Sequence, residues 1–402
     1  MKWASSSAGK SRSCSQPDIA LALPLAGWAE AQLQAIRALA GTPVLGGLSG
    51  AQLLGERAAL NGFSIPGRRS AGGGCRLYDA IDGQVALTLA RADDRDLMPA
   101  LFGDAGIESD SDIVTGFATA QTSAIVTQGR QLGLAIAAID EVPASPACRL
   151  MMTGGARPMR DGPPLVIDLS ALWAGPLAGH LLGLAGAQVI KVESRNRPDR
   201  MRAGDPLLFA RLNQHKANVA IDLRDAEDRA ALIALIRRAD MVIAAARPRA
   251  LAQLGIDADA LVRDVPGLVW VTITGHGAEG DAAHWIGFGD DCSVAGGLSA
   301  ALRRASGRIG FGGDACADPL TGIHAAHRAL AQWHEGMGAH LLLSMSAVVA
   351  EAIGWERARD AAGFTATLQS WAAAEGHSFP AVASRTTGPV AALGQDNGAW
   401  LC

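Results

Sequence analysis

The stretch 165–193, LVIDLSALWAGPLAGHLLGLAGAQVIKVE, decides the fold. It opens on a short apolar run at 165–169, passes through Gly175-Pro176 into an apolar segment at 177–184, and returns to a second short run at 188–192. Proline is tolerated in the first turn of a helix, where its missing N–H costs nothing. Short, nearly continuous apolar runs separated by a helix are the pattern of parallel strands covered on both faces. The spacing therefore predicts strand, helix, strand. The alternation continues with a helix over 226–238, a strand over 241–244, a helix over 258–263 and a strand over 268–273, so the second half is an α/β unit with a mostly parallel sheet. The helix from 226 carries its own signals: Asp225 to cap it, Asp228 at its third position, an apolar face through Leu232, Ile233, Leu235 and Ile236, and Arg237-Arg238 at its carboxyl end.

Upstream, GGARPMRDGPP at 154–164 offers glycine and proline with no apolar period and reads as a linker. Before it, Asp82-Gly83 makes a turn into a strand over 85–89. Asp93, Asp94 and Asp96 open a helix over 91–101, and a helix over 120–132 with a strand over 134–139 completes a smaller α+β unit. The expected organisation is a disordered Ser-rich tail at 1–17, a small-domain-like segment at 18–153, the linker, a catalytic domain at 165–350 and a C-terminal segment at 351–402 that completes the large domain.

Composition narrows the function. In 402 residues, 49% apolar, the net charge is −4 and no Lys/Arg run or basic aromatic stripe occurs, which disfavours nucleic acid and anionic membranes as partners. The six cysteines are far apart with no C-x-x-C pair, so neither a disulfide framework nor a zinc knuckle is expected, and a reducing cytoplasm fits. The N-terminal residues make a poor signal peptide, and no stretch of 18 apolar residues is present. No G-x-G-x-x-G follows Leu169, and neither G-x-x-x-x-G-K-[ST] nor G-x-S-x-G occurs, which argues against nicotinamide, ATP and serine-nucleophile chemistry. His324, His327 and His334 recur on one stretch, but no third kind of ligand converges with them, and no metal is expected.

The stretch 312–324, GGDACADPLTGIH, sets Asp318 between a glycine pair and an apolar helix. Asp318 before Pro319 is expected to cap that helix, which runs to about 336, with a further strand over 340–344. A capping aspartate beside Gly312-Gly313 also presents an acid to a ligand. Cys316 is a nearby thiol that reads as packing rather than as a nucleophile.

Five segments in order resemble the family III (CaiB/BaiF) coenzyme A transferases: VIDLSALWAGPLAGHLLGLAGAQVIKVE, GDPLLFARLNQHKANVAIDL, ADMVIAAARPRALAQLGID, VTITGHGAEG and DACADPLTGIHAA. The resemblance implies a Rossmann-like large domain, a smaller α+β domain, an interlocked homodimer and no permanently bound cofactor. It also implies transfer of coenzyme A, as a substrate, from an acyl-CoA thioester to a carboxylic acid through a covalent intermediate on the aspartate matched by Asp318. By the same comparison Leu172, Ala174, Arg195, Ile221 and Arg224 fall at coenzyme A-binding positions. Gly312, Gly313 or the helix start would offer N–H groups to an oxyanion.

The chain also departs from the family. Segments at 75–103 and 126–146 resemble the small domain, which here precedes the catalytic half instead of following it. Ala245-Ala246 stand where relatives carry Asn-Phe, Trp173 stands at a position often filled by Gln, and no glycine-rich flap is evident. The racemases of the family use an acid/base pair in which a His precedes an Asp; the matching positions are Phe288 and Gly289, with His276 and His284 nearby. Two alternatives to transfer therefore stand: an α-methylacyl-CoA racemase-like isomerase, and a non-catalytic acyl-CoA-binding paralogue.

Overall fold

Two sheets organise residues 21–159, 162–246 and 248–401, which are those described by the computed structural model. The smaller sheet is an antiparallel meander of β1 (Cys75–Asp79), β2 (Gln84–Thr88) and β3 (Ala135–Ala138). Seven strands form the larger: β4 (Cys148–Ala156), β5 (Leu165–Asp168), β6 (Gln188–Ser194), β7 (Ala217–Ile221), β8 (Met241–Ala244), β9 (Val269–Thr274) and β10 (Met337–Ser344). Their order is β4-β10-β9-β8-β5-β6-β7, parallel throughout except for the antiparallel β4 at one edge. From β5 the chain winds first towards β7 and then, after β8, towards β10. That reversal between β5 and β8 is the switch point at which a doubly wound sheet opens a crevice at its carboxyl edge. The fold is thus α/β, a Rossmann-like parallel sheet with a smaller α+β portion.

The central strands are apolar because both faces are covered. Val166, Ile243, Val271 and Leu343 share one core with the Ala174–Leu184 and Ala317–Glu335 helices, while Ile167, Val219, Val242 and Trp270 face the Ala226–Ile236 helix. Asp225 caps that helix by accepting from the N–H groups of Glu227 (2.8 Å) and Asp228 (2.9 Å), as its pattern predicts.

Elsewhere the structure departs from the expected boundaries. Gly154 and Gly155 are not linker. They close β4, where a side chain at Gly154 would meet the Val262 carbonyl at 2.5 Å, so glycine serves close packing there rather than flexibility. Segment 18–153 does not form one small domain either. The Ala26–Ala40 and Gly50–Asn61 helices bury Trp28, Leu33, Ile36, Leu53 and Leu54 in the large-domain core beside Leu177, Leu320 and Ile323. The small sheet packs Leu77, Ala86 and Ala137 against Val294 and Phe311. Between β2 and β3 the expected helix at 91–101 divides after Leu97 into a 3-10 turn, Ala92–Leu97, and a short helix, Met98–Phe102, with Pro99 in the first turn of the second. The tail expected at 1–17 lies outside the described residues.

Candidate active site

A cleft of about 410 Å³ opens at the carboxyl edge of the large sheet, spanning the switch point. Leu169 and Leu172 come from the loop after β5, Ala245 and Ala246 from the loop after β8, Thr274 and Gly275 from the end of β9, and Met345 from the end of β10. Its lining is mostly small and apolar. Among the described residues that line it, Asp318 is the one acid and Arg91 the one cation.

The loop after β5 is held from beneath by buried charges. Lys216 Nζ donates to Asp168 Oδ2 (2.7 Å) and to the Pro176 carbonyl (2.8 Å). Lys191 Nζ donates to the Ser170 carbonyl and to Asp199 Oδ2, both at 3.0 Å, and Asp199 accepts the Leu172 N–H at 3.2 Å. Leu172 sits at φ 68, a left-handed conformation that a leucine adopts only under such constraint.

Asp318 is the second residue of the Ala317–Glu335 helix, not its cap. Cys316 occupies the cap position, and Asp318 N–H bonds the Ala315 carbonyl at 2.9 Å. The Asp318 side chain is partly open to the cleft. Gly289 is required beside it, since a Cβ there would lie 2.3 Å from Asp318 Oδ2 and 2.5 Å from the Ala315 carbonyl. Burial pushes the Asp318 carboxyl up to about 7; Arg57 pulls it down, Asp290 pushes it up, the Ala174 N–H favours its charged form, and Asp314 adds to the upward push. Desolvation likewise raises the half-buried Asp290 to about 6. One guanidinium therefore serves three carboxylates. Arg57 reaches Asp314 through Nε (2.8 Å) and Nη2, and lies over the Trp173 ring with its guanidinium carbon 4.9 Å from the centroid.

Of the residues picked from sequence, Asp318, Leu172 and Ala174 meet on the cleft, and Ala174 acts through its N–H on Asp318. Ile221 does not line it: its side chain is fully buried in the core at the end of β7. Arg195 and Arg224 are exposed at the ends of β6 and β7, on the same edge of the sheet but outside the cleft; Arg195 pairs with Asp228 at 3.1 Å. Gly312 and Gly313 also lie off the cleft, packed against Leu298 and Cys316, so their N–H groups are not placed for an oxyanion there. Cys316 is buried with its thiol pushed well above the ordinary range by burial. His324 and His327 share Gln32 Oε1, at 3.1 and 2.7 Å, and His334 stacks edge-on against Trp333. Sequence reasoning missed Arg57, Asp290, Asp314 and Arg91. The only signals were the Asp pair in GFGDDCS and the first Asp of GGDACADP.

Comparison with known proteins now bears on this geometry. The family described as CoA-transferase family III matches residues 164–379, more than half of the chain. The chain belongs to CoA-transferase family III. Similar curated members include the succinyl-CoA:D-citramalate CoA-transferase of Chloroflexus aurantiacus, 34% identical over 44% of this chain and 46% of its own. The acetyl-CoA:oxalate CoA-transferase of Acetobacter aceti is 29% identical over 45% and 49%, and the succinate:glutarate CoA-transferase of Agrobacterium fabrum 33% identical over 40% and 45%. A solved CaiB/BaiF family protein from Brucella suis matches 52% of this chain and 58% of its own at 26% identity, with a TM-score of 0.45. This family III chain spans about half the length of the curated relatives it matches. No helix among its described residues is long and apolar enough to cross a membrane.

Proposed function

We propose that the chain transfers coenzyme A from an acyl-CoA thioester to a carboxylic acid, with Asp318 as the nucleophile. The observation that carries this reading is a single acid on an apolar cleft at the switch point, raised to about 7 and so both basic enough to attack and substantially ionised at neutral pH. A carboxylate oxygen of Asp318 attacks the thioester carbonyl. The C–S bond breaks with its electron pair on sulfur, giving a mixed anhydride and coenzyme A thiolate. The thiolate attacks the Asp318 carbonyl of the anhydride, the donor acid leaves as its carboxylate, and Asp318 now carries coenzyme A as a thioester. The acceptor carboxylate attacks that thioester and releases thiolate again. Thiolate then takes the acceptor's acyl group from the second anhydride and restores Asp318, with no net proton moved.

Arg91 favours acceptors with a second carboxylate. It reaches the cleft from the smaller unit, with Nε fixed on Asp94 Oδ1 at 2.6 Å and Nη2 on the Gly133 carbonyl at 2.7 Å. Relatives named for succinate, glutarate and oxalate accord with such acids. Arg195 and Arg224, on the same sheet edge, are cations for the coenzyme phosphates, and the Leu172 and Ala174 backbone flanks the thioester. Proton exchange at an acyl α-carbon would need a second acid or base on the cleft. No described histidine lines it, Phe288 does, and His276 is turned into the protein behind it. We also propose that two chains assemble as a dimer, which sedimentation at micromolar concentration tests.

The experiment for the activity is transfer from succinyl-CoA to dicarboxylic acceptors, followed by chromatography of the coenzyme A esters. Asp318→Asn is expected to abolish turnover by several orders of magnitude while remaining folded. Undiminished transfer in that variant removes the proposal.

A further inference from the structure

Directly behind the cleft wall, three side chains unused by the proposed reaction converge. His276 follows β9, and Asp291 and Cys292 belong to the Gly289–Ala295 helix; all three are buried. His276 Nε2, Asp291 Oδ2 and Cys292 Sγ form a triangle whose three edges are each 3.9 Å. That is too long for a hydrogen bond between ring nitrogen and carboxylate, which needs 2.7–3.2 Å. Without an ion, Cys292 Sγ donates to the Gly275 carbonyl at 3.5 Å and lies within the longer reach of a sulfur hydrogen bond from His276 Nε2 and Asp291 Oδ2. The same triangle has the dimensions of a shared ion's ligand set. The centre of a triangle with these edges lies about 2.25 Å from every corner, against zinc bond lengths of about 2.3 Å to sulfur, 2.0–2.1 Å to nitrogen and 2.0–2.2 Å to oxygen.

The surroundings are those of a ligand set. Asp291 is pinned through Oδ1, which accepts from Thr88 Oγ1 at 2.9 Å and from the Phe288 N–H at 3.0 Å, while Oδ2, reached by the same N–H at 3.3 Å, faces the triangle. The His276 ring packs edge-on against Trp285, a contact that fixes a ligating imidazole's orientation. Gly287 packs directly against this side: a Cβ there would lie 2.5 Å from Cys292 Sγ, 3.0 Å from His276 Nε2 and 3.1 Å from Gly275 Cα. Gly287 itself lines the cleft, so a fourth ligand such as water would reach the ion from the cleft by displacing this loop.

We propose that His276, Asp291 and Cys292 bind one divalent transition-metal ion of the zinc type. One nitrogen, one oxygen and one sulfur donor are a borderline-soft set suited to zinc or cobalt rather than to calcium or magnesium. Binding exchanges the Cys292 thiol proton, which leaves to solvent, for the metal–sulfur bond. The ion clips the loop after β9 to the helix that begins at Gly289, the residue on which the Asp318 carboxylate rests, and so stiffens that wall of the cleft. This departs from the sequence, where the histidines drawing attention were His324, His327 and His334, and it does not depend on the transferase reading.

The test is titration of the chelator-treated full chain with cobalt(II). One equivalent is expected to bind with a thiolate charge-transfer band in the near ultraviolet and the strong visible bands of a four-coordinate site. Zinc should displace it, and either metal should raise the melting temperature by several degrees. Cys292→Ala and, separately, His276→Gln should melt normally without metal yet lose the thiolate band and the metal-dependent rise. Absence of the band in the wild-type chain overturns the proposal, as does a band that persists in Cys292→Ala, which would place the thiolate on another cysteine. If one variant does not fold, the other and the wild-type titration decide.

Discussion

Replacing Asp318 with asparagine should stabilise the protein as it inactivates it. The Asp318 carboxyl is raised to about 7, chiefly by burial, with Asp290 and Asp314 adding to the push against Arg57 and the Ala174 N–H. A group whose folded pKa lies above its unfolded value holds its proton more tightly when folded. Its contribution to stability is therefore full below about pH 4 and is lost as pH rises through about 7. Displacing the midpoint by about three pH units corresponds to a ceiling of about 4 kcal/mol. Solvent in the cleft screens the charge, and the variant forfeits a first-turn carboxylate at a helix N-terminus worth about 0.3–1 kcal/mol. We expect Asp318→Asn to gain about 1–3 kcal/mol over wild type at pH 8, about a quarter of that at pH 4.5, and nothing below about pH 3. Urea denaturation of both proteins at several pH values measures this difference, in which other titrating groups cancel. A variant less stable than wild type at pH 8, or a difference that does not change with pH, would refute the electrostatic account of the site.

Other changes follow from the same geometry. Transfer, measured as kcat/KM, should rise with pH and level off above about 7 as Asp318 ionises; a profile flat from pH 5 to 8 contradicts this. Arg57→Gln removes the one cation shared by Asp290, Asp314 and Asp318, and should cost about 3–5 kcal/mol in chemical denaturation by leaving the buried Asp314 unpaired, while moving the rising limb of the pH profile upward. Gly289→Ala places a methyl group against Asp318 Oδ2, so kcat should fall at least tenfold with near-normal secondary structure by circular dichroism. Arg91→Gln should raise KM for a dicarboxylate acceptor more than for a monocarboxylate of the same length; equal effects on both would separate Arg91 from acceptor recognition.

The parallel sheet was legible because its strands are buried on both faces. Runs such as MVIA in β8 have no other economical explanation, and Asp225 announced its helix by local chemistry alone. Parts resting on distant contacts were not legible. The N-terminal helix Ala26–Ala40 rests on such a contact: at Gly27 the Glu356 carboxylate approaches the backbone and accepts the Trp28 N–H at 2.8 Å, 328 residues away. Gly154 and Gly155 looked flexible for the same reason: glycine that permits close packing and glycine that permits bending are the same letter. At the site, Asp318 could be picked out from its neighbours in the chain, but its raised pKa comes chiefly from burial, with Asp290 pushing it up against the opposing Arg57, and only the tertiary fold supplies these. Ile221, Gly312 and Gly313 were misplaced because position along a motif does not say on which side of the backbone the cleft lies.

The central claim is that Asp318 becomes covalently modified. Incubating the full chain with a panel of acyl-CoAs and measuring its intact mass, then repeating with hydroxylamine and mapping the modified peptide, tests it most directly. The account predicts an adduct in the wild-type protein, conversion of Asp318 to its hydroxamate, and neither in Asp318→Asn. A wild-type chain that turns acyl-CoA over with its mass unchanged, or an adduct that maps to another residue, would contradict it.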